Sequence, residues 1–172
     1  MKERWDAYDI DRHLTGKTVQ RGEKGGKGDM HLVIHVCIFN SKGEMLIQQR
    51  QPWKSWGKYW DISVGGSVIA GETSRDAAHR ELLEEIGIDL DFTGVRPHFT
   101  INFENGFDDI YLINMDVDIE NLRLQPEEVM DARWASEEEI LSMIDEGKFI
   151  PFFKTLISHM FAARNKFDGL NI

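Results

Sequence analysis

Three glutamates, Glu81, Glu84 and Glu85, stand at i, i+3 and i+4 in the chain. On a helix this spacing turns all three side chains to one face. Like charges crowded on a face oppose the helix unless a cation or bulk water relieves them, so a solvated acidic face is the plain alternative. Oxygen donors grouped without histidine or cysteine suit a hard cation, Mg²⁺ first and Mn²⁺ second, which keeps places for water and substrate phosphate. Gly65 and Gly66, just ahead, let the backbone approach such an ion or phosphate closely. Glu72 is placed to pair with Arg80 and tie the preceding loop to the helix.

The segment from Gly66 to Ile88 then matches a longer pattern, G-x5-E-x7-R-E-U-x-E-E-x-G-U with U aliphatic, through Gly66, Glu72, Arg80, Glu81, Leu82, Glu84, Glu85, Gly87 and Ile88. This resembles the Nudix box at every fixed position. The resemblance implies an α/β/α sandwich and hydrolysis of a nucleoside diphosphate linked to a group X, or of a related organic diphosphate. It implies metal held by Glu81, Glu84 and Glu85, often with the Gly66 carbonyl, and Glu72–Arg80 as the structural pair. Water must attack a phosphorus shielded by its own anionic oxygens, so a divalent cation and a general base are both wanted. Glu85 and Glu84 lead as bases, with Glu127 or Glu128 as candidates from a later loop.

A second resemblance, to isopentenyl-diphosphate isomerase within the same superfamily, rests on His31-Leu32, on Trp60-Asp-Ile-Ser-Val-Gly65-Gly66, and on Glu128-Val-Met-Asp131 with Trp134. The position matching that enzyme's catalytic cysteine is Gly65, and the histidine after it is replaced by Ser67 or Val68. Without the thiol, an isomerase-like catalyst is the lesser reading, and a non-catalytic ligand-binding module is a third. Outside the box, Arg50 is a candidate phosphate clamp or an ion-pair partner. Trp53 and Trp56, in a loop with Lys54 and Lys58, are candidates for stacking on substrate or for loop packing. Trp60 reads as core. His31 and His35 share a strand face and read as packed and hydrogen-bonded rather than metal-bound. Asp108 and Asp109 read as solvated, and Cys37 as an inert buried thiol.

These residues need elements to position them. Thr73 or Ser74 opens the carboxylate helix, Ala77, Ala78, Leu82, Leu83 and Ile86 give it an apolar stripe, and Gly87 ends it. Leu32 to Phe39 is apolar at both parities, the mark of a strand covered on both faces, and Asn40-Ser-Lys-Gly43 turns it toward a hairpin partner at Met45–Gln49. Asn105-Gly106 marks a second hairpin between His98–Glu104 and Asp108–Val117. A strand is expected over Glu128–Trp134. Ser136 to Glu139 has the spacing of a capping box, opening a short helix that stops at Gly147. A last helix is expected over 152–165, with Phe153, Leu156, Ile157, Met160 and Phe161 facing the core.

These elements argue for an α/β (α+β) layered domain with a mixed β-sheet and an N-terminal β-hairpin arm, and the Nudix resemblance implies that the layers form an α/β/α sandwich. Residues 1–29 are the arm and a glycine-rich loop, with Trp5, Tyr8, Ile10, Leu14 and Val19 available for docking, and residues 30–172 are the hydrolase domain. The chain has 172 residues, 30 acidic and 20 basic side chains, and a formal net charge of −10. That charge disfavours nucleic acid and anionic membranes as partners, and the small-molecule diphosphate, bridged by metal, is what the Nudix resemblance implies. One cysteine precludes an internal disulfide framework, and no apolar run is long enough to span a bilayer, so a cytoplasmic monomer or homodimer is expected.

Overall fold

The computed structural model describes residues 3–166. Its centre is β3 (His31–Phe39), paired in parallel with β8 (Gly106–Asn114) from His31 opposite Gly106 to Phe39 opposite Asn114. The expected hairpin partner, β4 (Met45–Arg50), meets β3 only at Phe39–Met45 and then diverges. It pairs instead with β9 (Val129–Ala135) and β5 (Trp60–Asp61), while β6 (Val64–Ser67) pairs with β3. The turn at Asn40–Gly43 was correctly placed, but it joins strands that splay apart. That split opens the sheet where the site forms.

The second hairpin joins β7 (Phe99–Phe103) to β8, with Phe103 opposite Gly106. Its two-residue turn is Glu104-Asn105, one residue earlier than expected. Gly106 lies inside the ladder, where a Cβ would run into the His31 carbonyl.

Helix α1 (Ser74–Ile86) covers one face of the sheet. Thr73 caps it, its hydroxyl accepting from the Asp76 N–H and its own N–H donating to the Asp76 carboxylate at 2.9 Å. Gly87 closes it at φ 76°, a left-handed conformation that costs a side-chain-bearing residue strain. Ala77, Ala78, Leu82 and Ile86 are buried against Ile34, Val36 and Tyr111, whereas Leu83 is exposed. The opposite face, with Cys37, Phe39, Ile110 and Leu112, is covered by α2 (Glu137–Asp145) and α3 (Lys154–Ala163). Alternate residues of β3 enter different cores, which is why its apolar run has no polar parity. The result is the expected α/β/α arrangement with a mixed sheet.

Ser136 and Glu139 form the capping box, and α2 ends just before Gly147. α3 is shorter than 152–165 because it starts after Pro151-Phe152-Phe153. Phe153, expected in the core, is 83% exposed at the N-cap, while Ile157, Met160 and Phe161 are buried.

The arm is an antiparallel hairpin of β1 (Arg4–Tyr8) and β2 (Leu14–Gln20). It docks through Ala7 and Val19, and Trp5 stacks on His31 with ring centroids 4.4 Å apart. Ile10 and Leu14, expected to help, are exposed at its tip. A polar anchor adds to these contacts. Arg12 reaches Thr100 Oγ1 at 3.2 Å and pairs with the fully buried Asp109, which also accepts from Thr100 at 2.6 Å. Asp109 was expected to be solvated; a cation from a distant hairpin removes its need for water.

Candidate active site

A cleft of about 290 Å³ opens where β3 and β4 part. Box residues line one wall: Gly65, Gly66 and Ser67 from β6, and Arg80, Glu81, Glu84 and Glu85 from α1. Arg50 and Lys54 face them with Gln125 and Glu128 from the strand-β9 approach, and Glu3 and Arg21 reach in from the arm. Val33 and His35 of β3 complete it.

The helix period delivers the three glutamates to this wall, but their carboxylates do different things. Glu85 is buried and accepts from Gln48 Nε2 at 2.9 Å. Burial pushes its pKa up to about 7, outweighing the Gln48 hydrogen bond that favours the anion. Glu81 is also raised, by burial first, against the pull of Arg80. Glu84 is the exposed member, with its carboxylate 3.3 Å from Arg80 Nη1.

Arg80 is the cleft's fixed cation. Its Nε donates to Glu72 at 2.7 Å, Nη2 to Glu72 at 2.9 Å and to the Ser67 carbonyl at 3.0 Å, and Nη1 to Glu81 at 2.8 Å. The expected Glu72–Arg80 pair is therefore formed, and it clamps the loop after β6 onto α1. Glu72, which also accepts from the Ile69 N–H at 3.2 Å, first among its causes holds the guanidinium's pKa above its ordinary value.

The donor chemistry of the residues present fits a hard divalent cation, while in this structure Arg80 engages Glu81 and Glu84 and the three carboxylates are not drawn together to ligand distance. Donors on the box wall are carboxylate oxygens, the ligands such an ion takes. A Cβ at Gly66 would collide with the Glu81 carboxylate, so glycine alone lets that acid lie against the strand. An ionised Glu85 in so buried a place calls for a positive neighbour.

The facing wall is only partly as expected. Arg50 lines the cleft, but Nη1 donates to Asp61 at 2.9 Å and Nε to the Ser55 carbonyl at 2.9 Å. Its guanidinium braces the tryptophan loop while bordering the cleft. Lys54 forms an ion pair with Glu128, so both sit in the cleft, and burial lowers the lysine pKa. Trp53 and Trp56 are outside it: Trp53 is 70% exposed with its indole donating to the Glu127 carbonyl at 3.0 Å, and Trp56 packs edge-on to Tyr59. Trp60 is half-buried under Arg133. Glu127 is exposed and does not line the cleft.

Both β3 histidines are packed as expected, but the expected hydrogen bonding is formed at His35 and not at His31 Nε2. His31 lies under Trp5, with Nε2 buried and without a hydrogen bond, and burial lowers its pKa to about 4. His35 points into the cleft, its Nδ1 2.8 and 2.9 Å from the two Asp108 oxygens. Asp108, expected to be solvated, is largely covered by this pair. Cys37 is fully buried 3.8 Å from Met160 Sδ, and burial pushes its thiol pKa well up.

Sequence reasoning missed Glu3, Arg21, Gln48 and Gln125, and undervalued His35. Gln48 carried a faint signal as a polar residue in an apolar strand, two positions from Arg50. Glu3 and Arg21 carried none, because only the docking of the arm brings them to the box.

The NUDIX domain family model matches residues 29–154. A Nudix hydrolase of Listeria monocytogenes is 50% identical over 164 residues, spanning 95% of this chain and 96% of its own. An isopentenyl-diphosphate Delta-isomerase of Pectobacterium atrosepticum is 30% identical over 145 residues, 79% of each chain. A Deinococcus radiodurans crystal structure superposes with a TM-score of 0.74 over 92% of this chain and 99% of its own, and at 24% identity it speaks for the fold alone. The MutT protein of Methanosarcina mazei superposes at 0.62, with 25% identity, over 80% of this chain and 96% of its own. With the matched segment running from just before β3 to the first residue of α3, the chain belongs to the Nudix hydrolase family.

Proposed function

We propose that this protein hydrolyses the diphosphate linkage of a nucleoside diphosphate linked to X, or of a related organic diphosphate, by water attack on phosphorus. The observation that carries the reading is the wall of Glu81, Glu84 and Glu85 lining one cleft, with Arg80 locked to Glu72 beside them. Glu81, Glu84, Glu85 and the Gly66 carbonyl are assigned to Mg²⁺, with Mn²⁺ as a substitute. Such an ion, when bound, supplies charge neutralisation at the phosphoryl oxygens and a water of lowered pKa.

The chain's own groups do the rest. Glu85 is the first candidate for taking the proton of the attacking water, through an oxygen that the ion leaves free. Glu84 and Glu128 are the further carboxylates of the cleft. Lys54, with one donor engaged by Glu128, has donors left for phosphoryl oxygens. Arg50 borders the same space and adds positive charge to it. Trp53 and Trp56 would meet only the far end of a long group X.

Residues 1–29 are assigned as an arm and loop that complete the cleft, and 30–172 as the hydrolase domain. The partner class is a small-molecule diphosphate, without nucleic acid or membrane, given the net charge of −10. No helix among the described residues is long and apolar enough to cross a membrane. The single buried thiol and acidic surface suit a cytoplasmic monomer or homodimer.

A mass-resolved screen of nucleotide sugars, dinucleoside polyphosphates, oxidised nucleoside triphosphates and isoprenoid diphosphates tests this. Expected products are a nucleotide and phospho-X, or the monophosphate of an organic diphosphate, with Mg²⁺ and none with EDTA. Ligand binding without turnover on every compound would instead identify a binding module, and isomerisation without phosphate release an isomerase.

A further inference from the structure

We propose that His35 is a substrate-contacting residue of this hydrolytic cleft, donating from Nε2 to a phosphoryl oxygen while Asp108 holds the ring in place. The inference rests on the diphosphatase reading and adds to it a residue that lies outside the box.

The geometry begins with the ring's two nitrogens. Nδ1 faces both oxygens of Asp108, at 2.8 and 2.9 Å, from the neighbouring parallel strand. Nδ1–H donates to that carboxylate, which fixes the rotation of the imidazole. The opposite edge, Cδ2 and Nε2, lies against Gly65, where a Cβ would stand 2.7 Å from Nε2 and closer still to Cδ2. Glycine at 65 therefore leaves the space that the ring fills. His35 and Gly65 both line the cleft, beside Gly66 and Glu81.

The His35 side chain keeps 20% exposure and its Nε2 is not buried, so this edge is open to a ligand that enters the cleft. No hydrogen bond to His35 Nε2 is formed among the described residues. On its remaining side the ring meets the edge of Phe152 at 6.1 Å, which offers no acceptor.

The charge of the surroundings agrees. Burial alone would depress the imidazole's pKa, but Asp108 foremost, then Asp61 and Glu85, bring it above the ordinary histidine value. With Nδ1–H held by both Asp108 oxygens, Nε2 donates from the doubly protonated ring, the form that an anionic phosphoryl oxygen arriving on the opposite side itself favours. Phosphoryl transfer draws most of its catalysis from such positioning and charge stabilisation, so a donor held at a fixed place on the cleft wall has a role there that a surface histidine would not. Asp108 is a positioning residue and makes no contact with substrate.

The test uses the full-length protein and methylenediphosphonate, a diphosphate analogue that cannot be cleaved at its bridge. Imidazole ¹H–¹⁵N spectra identify the His35 signals through their loss in His35→Gln. Binding should move the His35 Nε2 resonance and leave those of exposed His13 and His79 in place. Affinity measured by calorimetry should fall roughly 10- to 100-fold in His35→Gln, the scale of a lost charge-assisted hydrogen bond. Asp108→Asn should fall by less, about 3- to 10-fold, with unchanged thermal melting, because its amide keeps the shape and loses the charge. On a cleaved substrate the His35→Gln loss should appear in KM and kcat together, whereas a purely structural residue would shift melting first.

An unmoved Nε2 resonance with affinities within two-fold of wild type overturns the proposal. That outcome alongside Mg²⁺-dependent hydrolysis by the wild-type protein removes His35 and leaves the diphosphatase reading standing. No hydrolysis of any diphosphate, with the His35 resonance still shifted by the analogue, removes the diphosphatase reading and leaves His35 as a ligand contact.

Discussion

Glu84 and Glu85 are neighbours in sequence and opposites in surroundings. Glu84 stands half in solvent, 3.3 Å from Arg80, and Glu85 is buried under Gln48. Replacing either with glutamine keeps its size and removes its charge. Both Glu84→Gln and Glu85→Gln are expected to lower kcat by roughly 10²- to 10⁴-fold, the range for loss of a base and a lower bound for loss of a metal ligand. Stability should not follow activity. A neutral amide at 85 escapes the desolvation that burdens the carboxylate and can still face Gln48, so melting at pH 8 should equal or exceed wild type. Steady-state kinetics beside a thermal melt checks both halves. Near-wild-type turnover in the two variants together would remove these residues from the chemistry.

At the scale of elements, a buried charge pair adds to the apolar contacts of Ala7, Val19 and Trp5 in holding the arm to the body. Asp109 has no exposure and its cation comes from Arg12, itself only partly covered. Arg12→Ala strands a buried carboxylate with Thr100 as its remaining partner, at a cost of about 3 kcal/mol, the lower end for breaking a buried pair. The measurement is urea unfolding of the single variant and of Arg12→Ala with Asp109→Asn. Neutralising the stranded acid should recover most of the loss, and a double variant no better than the single one would show that the pair is not the latch.

The same contact marks where sequence reading ends. Helices α1 and α2 were legible because their caps, Thr73 with Asp76 and Ser136 with Glu139, are local and lie within four residues. The box wall was legible because a helix period alone brings Glu81, Glu84 and Glu85 to one side. Arg12 to Asp109, Arg21 to the cleft and His35 to Asp108 each join residues far apart in the chain, and no local spacing records them. The hairpin expected at β3–β4 failed for the same reason, since its turn is local but the partners β8 and β9 that pull the strands apart arrive some seventy or more residues later. Phe153 was misplaced by extending a periodicity across Pro151, where the chain enters the helix and leaves that side chain in solvent.

For the molecule as a whole, two buried groups make stability depend on pH in opposite directions. Glu85 has its pKa raised to about 7 from 4.5. Between those values the folded chain binds more protons than the unfolded one, so this residue's contribution declines as pH rises through the window. His31 has its pKa lowered to about 4 from 6.5. There the unfolded chain binds more protons, so its contribution grows as pH rises from about 4 and is complete above 6.5. Between pH 4.5 and 6.5 the two slopes offset one another in the wild-type protein. Unfolding free energies measured across pH 4.5 to 8 should therefore separate by variant: relative to wild type, Glu85→Gln gains steadily as pH rises toward 7 and then stays level. His31→Gln, whatever constant penalty it carries for the lost Trp5 stack, should lose its relative advantage over the same rise and stay level above 6.5. Mg²⁺ provides a third slope, because a cation on the box carboxylates competes with protons and its stabilisation should increase with pH until Glu85 is fully ionised. A magnesium-induced melting shift that is the same at pH 5 and pH 8, or is kept in Glu85→Gln, would separate the buried acid from the metal.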